Sequence, residues 1–130
     1  MEKQMINPDT LFDSMSYGYA QAVKVGSTYY ISGQISMNAD GEVMHKGDIV
    51  GQARLAFENL KKALEAVGGT LDDIVKMTVY VVDINYCAPF REVRREYFKD
   101  YFPANTLLVV KSLANPDWLI EMEAVAEIRQ

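Results

Sequence analysis

The chain has 130 residues, a net charge of −5 and a pI near 4.8, which argues against nucleic acid as a partner, because phosphate backbones attract basic surfaces. With 49% hydrophobic and 24% charged residues it fits one globular domain over residues 1–130, long enough to bury a sizeable core. No run reads as a transmembrane segment, the opening MEKQMINPDTLF lacks an apolar leader segment, and a single cysteine forms no intrachain disulfide, so no membrane partner and a reducing, cytoplasmic setting are expected.

AQAVKVGSTYYISGQISM reads as two strands turning at Gly26-Ser27, and NADGEV as an Asp-Gly turn into a short return strand. Asp48 is a candidate N-cap. Beyond it Ala53, Ala56, Phe57, Leu60, Ala63, Leu64 and Val67 recur at three- and four-residue spacing, which predicts an amphipathic helix ended by Gly68-Gly69. IVKMTVYVV predicts a strand with Val75, Met77, Val79 and Val81 on its apolar face. A second helix follows, with Pro89 in its first turn, Phe90, Val93, Tyr97 and Tyr101 as its inner stripe, and Pro103 as its stop.

NTLLVVKSL and WLIEMEAVAEI predict two last strands joined by the turn ANPD and paired antiparallel. The strand–helix–strand step implies a parallel pair with a right-handed crossover. The expected fold is α+β, a two-layer α/β sandwich with both helices on one face of a mixed sheet. By alternation the uncovered face carries Tyr30, Ser32, Gln34, Thr78, Tyr80, Asn105, Leu107, Val109, Leu119, Glu121, Glu123 and Val125. So apolar a face predicts burial against another copy of the chain, at about 25 cal/mol per Å2 of apolar surface. It also explains two glutamates in mid-strand: they lie where a cleft holds a polar site between apolar walls.

YAQAVKVGSTYYISGQI, GTLDDIVKMTVYVVD, FPANTLLV and LIEMEAVA together resemble the Rid family (reactive intermediate deaminase, also YjgF or endoribonuclease L-PSP), over nearly the whole chain. The resemblance implies a chorismate mutase-like fold, a homotrimer with three intersubunit clefts, and hydrolysis of 2-imino acids or their enamine tautomers to 2-keto acids and ammonia. It implies no metal and no organic cofactor. Carried over by motif, Tyr19 closes one side of the cleft, Ser32 and Gly33 line it, Leu107 stands where a cysteine is common, and Glu121 positions or activates water.

The departure is FPANT. Deaminases of that family typically read P-A-R-[ST], with an arginine that grips the substrate carboxylate. Asn105 donates hydrogen bonds but supplies no charge, and losing a charged bond of roughly 1.5–3 kcal/mol lowers affinity by about ten- to a hundred-fold. Asn105 and Glu121 are expected on neighbouring strands facing one cleft. Substitute cations are Arg91, Arg94, Arg95 and Lys111, although Lys111 lies six residues from Asn105, roughly 20 Å along a strand. The arginines also read as a solvated helix face.

Each residue has a plainer reading too. Glu121 and Glu123 are also interface hydrogen-bond partners, Ser32 a strand hydroxyl, and Tyr17 and Tyr19 packing. Cys87 and His45 have no partner nearby in sequence, and zinc normally takes three or four ligands, so no metal is expected. Three functions remain. The first is hydrolytic enamine or imine deamination of a small reactive metabolite, not general for 2-imino acids. The second is a non-catalytic trimer that binds a small metabolite. The third is an endoribonuclease L-PSP-type activity, disfavoured by the acidic charge and the lack of a histidine pair.

Overall fold

The computed structural model describes residues 2–129. Six strands, β1 (Lys3–Ile6), β2 (Ala22–Val25), β3 (Thr28–Gln34), β4 (Ile74–Val81), β5 (Ala104–Val109) and β6 (Ile120–Glu127), form one sheet in the order β1-β2-β3-β6-β4-β5. Its pairs are antiparallel except β4 with β5. Two helices, α1 (Ile49–Glu65) and α2 (Cys87–Tyr97), pack on one face, where Ile31, Met77, Val79, Val81, Ile120, Met122, Ala124 and Ala126 are buried.

The helices form where the apolar spacing places them. The Asp48 side chain accepts from the Gly51 N–H at 3.1 Å and starts α1. Ala53, Ala56, Phe57, Leu60, Ala63 and Leu64 make its buried stripe, and the chain leaves through Gly68 at φ +78°. Phe57 joins the helices: its ring stacks on Tyr97 at 4.5 Å and on Phe90 at 6.1 Å and meets Phe98 edge-on at 6.0 Å. Replacing such a ring by alanine costs about 3–5 kcal/mol. Asp40-Gly41 makes the expected turn, closed by a bridge between Met37 and Val43, with Gly41 at φ +84°.

The structure corrects several expectations. α2 ends at Tyr97, not at Pro103, because Phe98 turns extended (φ −123°, ψ 116°) and sends its ring into the core. Tyr101 lies beyond the helix, its hydroxyl donating to the Ile74 carbonyl at 2.6 Å. In β4 the register shifts between Ile74 and Lys76, so Ile74 is buried and Val75 exposed. β1 was not anticipated; its residues are mostly exposed and leave no apolar pattern.

Two corrections bear on function. β5 and β6 are not partners: the crossover through α2 lays β5 beside β4 on its outer edge, and β6 takes the other edge. Asn105, Leu107 and Val109 pair in register with Met77, Val79 and Val81, so they project to the helix side, not to the uncovered face. Thr106 and Leu108 take that face, beside Thr78 and Tyr80. Gln34 is also displaced. β3 pairs with β6 through Ile31–Ala124 and then Gln34–Met122, one residue too many on β3. The bulge at Ser32-Gly33 turns Gln34 inward, where its amide donates to Gln21 Oε1 at 2.8 Å. The uncovered face still exposes Met5, Tyr30 and Leu108.

Candidate active site

The bulge in β3 makes the candidate site. At Ser32-Gly33 the strand bows away from β6, and the Glu121 side chain fills the space. A Cβ on Gly33 would fall 2.6 Å from Glu121 Cδ and 2.8 Å from its Cγ, so glycine is required for the carboxylate to rest there. Ser32 is fixed from behind: its N–H donates to the Gln21 carbonyl at 2.8 Å and its hydroxyl to the Ala20 carbonyl at 2.6 Å. The Ser32 hydroxyl hydrogen is committed, so toward a ligand its oxygen can only accept.

Glu121 opens onto a cavity of about 630 Å3 lined also by Phe12, Tyr17, Tyr19, Ser32, Gly33, Trp118 and Glu123. Tyr17 and Tyr19 come from the loop before β2, held by the Ser14 hydroxyl donating to the Tyr19 carbonyl at 2.7 Å. Phe12 meets both rings edge-on at 6.4 and 6.5 Å. Among the described residues of the one protomer, no lysine or arginine lines the cavity. Glu123 accepts a hydrogen bond from the Tyr80 hydroxyl at 2.7 Å. Among the described residues nothing donates to the Glu121 carboxylate, and no acceptor meets the buried indole N–H of Trp118.

These surroundings set the proton affinities. Burial first, then the charge of Glu123, holds the Glu121 carboxyl above the usual glutamate range. Burial, then Glu121 and then Tyr17, raises the Tyr19 phenol, which stays a neutral hydrogen-bonding group. A half-buried carboxylate with unfilled acceptor sites and raised proton affinity is equipped to hold a water molecule and take its proton.

Of the expected site residues, Tyr19, Ser32, Gly33 and Glu121 come together here, and Asn105 and Leu107 do not. Leu107 packs on the core. Asn105 lines a separate pocket with Arg91, Arg94 and Arg95. β4 lies between β5 and β6, and Asn105 and Glu121 project to opposite faces, so the expectation that they face one cleft in a single protomer is corrected. Tyr17 and Glu123 do more than pack or pair: both line the cavity. Trp118 was overlooked as a lining residue; its place just before a strand carrying two acids was the available signal. His45 and Cys87 lie outside the lining. Among the described residues no group of three or more His, Cys, Asp and Glu side chains is placed to hold a metal, and no helix is long and apolar enough to cross a membrane.

Comparison with known proteins places this geometry. The endoribonuclease L-PSP family matches residues 13–128. A RutC family protein of Pyrococcus abyssi is 44% identical over 108 residues, covering 83% of this chain and 84% of the relative. The 2-iminobutanoate/2-iminopropanoate deaminase of Homo sapiens is 39% identical over 108 residues, covering 83% and 78%. The crystal structure of the YjgF gene product of E. coli superposes with a TM-score of 0.88 at 35% identity, covering 97% of this chain and 99% of that one. A match over most of the chain, joined to the same fold, means that the chain belongs to the endoribonuclease L-PSP family, also called YjgF or Rid.

Proposed function

We propose that this protein hydrolyses a small reactive enamine or imine, with Glu121 handling the proton of the attacking water. The observation that carries the reading is the Glu121 carboxylate itself: set in the β3 bulge, given no hydrogen bond by the described residues, and raised in proton affinity by burial and Glu123. An enamine first takes a proton on carbon to become the imine. Glu121 accepts a proton from water as its oxygen adds to the imine carbon. The nitrogen then takes protons and leaves as ammonia, and the carbonyl product forms. Imine plus water balances carbonyl plus ammonia, with no oxidant or reductant. Relatives named as 2-iminobutanoate/2-iminopropanoate deaminases support this class of reaction.

The substrate of this chain is not a general 2-imino acid. Support comes from asparagine at position 105, where deaminases of the family typically carry arginine. The working unit is a homotrimer with the uncovered sheet faces inward, a reading supported by the exposed Met5, Tyr30 and Leu108 on that face. In that assembly Asn105 and Leu107 complete the cleft of a neighbouring copy. Sedimentation equilibrium at micromolar concentration is expected to give three chains; a stable monomer contradicts the assembly. The chemical test generates 2-iminopropionate in situ and follows its loss. The protein is expected to accelerate loss above buffer, but well below the rate per site of an arginine-bearing relative. Loss no faster than in buffer, for this imine and for an uncharged enamine, would remove the hydrolytic reading. It would favour the second reading, a trimer that binds a small metabolite without turning it over, for which asparagine at position 105 speaks.

A further inference from the structure

Beside its acids, the Glu121 cavity has an apolar wall to which the proton chemistry gives no task. Phe12, Ile35 and Met37 form a small buried cluster of their own, apart from the main core, and the partly buried Val43 and Trp118 pack against it. All five line the cavity. Ile35, Met37 and Val43 follow the end of β3 and belong to the hairpin closed by the Met37–Val43 bridge. Trp118 comes from the turn that leads into β6, where its N–H donates to the Asn115 carbonyl at 3.0 Å.

Two buried amides of α1 pin the backbone of this wall. Asn59 donates to the Ile35 carbonyl at 2.9 Å and to the Met37 carbonyl at 3.0 Å. Gln52 grips the chain on both sides of Trp118: it donates to the Asp117 carbonyl at 3.0 Å and accepts from the Leu119 N–H at 2.9 Å. Its other amide hydrogen goes to the His45 carbonyl at 3.2 Å, on the far side of the hairpin. Burying an amide is unfavourable unless its polar atoms are bonded, and every bond of Gln52 is made to a segment that flanks the cavity wall. A cluster that only closed a minor core would bury its largest ring, as the main core buries Phe57, Phe90 and Phe98. Trp118 instead stays partly exposed, although its backbone is held rigidly. Apolar surface kept open to water is unfavourable, and a ligand that covers it is bound more tightly for doing so.

We propose that Trp118 is a specificity-determining residue of the Glu121 cavity, selecting a substrate with a bulky apolar group on the carbon that bears the nitrogen, and that Gln52 is the residue that positions it. The group lies against Trp118, Met37 and Val43, with the carbon–nitrogen double bond at Glu121. This assignment deepens the hydrolytic reading and rests on it for turnover, whereas the selection of a ligand by the wall needs no turnover.

Trp118 is the one tryptophan of the chain, so its emission reports on this wall directly. The full chain is titrated with 4-methyl-2-oxopentanoate and with 2-oxopropanoate, keto acids with the same head group and different side chains. The branched acid is expected to bind at least about tenfold more tightly, since even one methylene in an apolar pocket is worth that much, and to shift the emission to shorter wavelength. Trp118→Ala, read by calorimetry, should lower the affinity ratio by about tenfold while changing 2-oxopropanoate binding less. Gln52→Met keeps the volume and removes the bonds. It should move the emission of the unliganded protein to longer wavelength and raise KM for the branched imine by about tenfold with kcat little changed, a split that lost stability alone does not produce. Val43→Phe, in the surface hairpin, fills the wall and should weaken the branched acid by about tenfold even if the other variants fail to fold. No binding of the branched acid at millimolar concentration, a wild-type ratio near one, or a ratio unmoved by Trp118→Ala and Val43→Phe would overturn the role of Trp118. Unmoved emission and KM in folded Gln52→Met would overturn the role of Gln52. Selective binding without imine loss would remove the hydrolytic reading and leave the selection by Trp118 supported; imine loss without selectivity would do the reverse.

Discussion

The Glu121 cavity and the arginine pocket of α2 are built by the same force acting on opposite charges. Burial disfavours the charged form of any group, so it raises the Glu121 carboxyl and lowers the Arg94 guanidinium. The consequences differ because the starting points differ. An ordinary glutamate titrates at 4.5, and an upward shift brings it toward the pH at which enzymes work. An ordinary arginine titrates far above neutrality, and a downward shift leaves it charged. Desolvation thus favours the protonated form of Glu121 and opposes, without removing, the charge of Arg94.

The largest effect that would break this comparison is on turnover. If Glu121 moves the proton, Glu121→Gln should lower the rate of imine loss by about 10²–10⁴-fold with the fold intact, since that is the usual scale of general acid–base catalysis. Gly33→Ala is expected next. Its methyl group would occupy the resting place of the Glu121 carboxylate, which is the free end of a flexible side chain and can swing aside. Little stability should be lost, but a displacement near 1 Å costs on the order of 10² in rate. A rate close to wild type would mean that the β3 bulge does not position the acid.

Smaller effects sharpen the contrast. Glu123 raises the proton affinity of Glu121, so Glu123→Gln should move the acid limb of the rate profile to lower pH. The stability effect has the matching sign. A carboxyl whose folded pKa is raised contributes stability below its unfolded value, and this is lost as pH rises through the folded pKa. The charge of Glu121 therefore costs stability near neutrality. Glu121→Gln should raise Tm modestly at pH 7 and by less at pH 4, read by thermal melts at both. Asn105→Asp puts a second negative charge at the edge that completes a neighbouring cleft in the proposed trimer, and it should slow loss of the anionic imine further, read by the imine-loss assay.

Much of the fold was legible in the sequence wherever one face of an element is buried. The stripe of α1, the Asp48 cap and the alternation of Ile120, Met122, Ala124 and Ala126 in β6 all appear as expected, because each contrasts core with solvent. The alternation also marked Glu121 as an acid on the other face of a core strand. Phase was harder than period. β5 is an edge strand with mostly exposed residues, so nothing local says which of Asn105 and Thr106 turns to the helices; the register with Met77 decides it. A short connection suggested that β5 and β6 pair, but the parallel crossover had already given β5 the outer edge of β4. The bulge at Ser32-Gly33 is invisible to strict alternation, which is why Gln34 was expected outside, and that bulge is what makes room for the carboxylate.

The central claim, that the fold holds Glu121 as a proton-exchanging carboxyl, is tested most directly by titrating that group by NMR. With carbon-13 in the glutamate side chains, and Glu121→Gln to assign the resonance, the carboxyl shift is followed against pH in the wild-type protein. A midpoint above the ordinary glutamate value of 4.5, moving down in Glu123→Gln, is the predicted result. A midpoint at or below that value, unmoved by Glu123→Gln, would contradict the account.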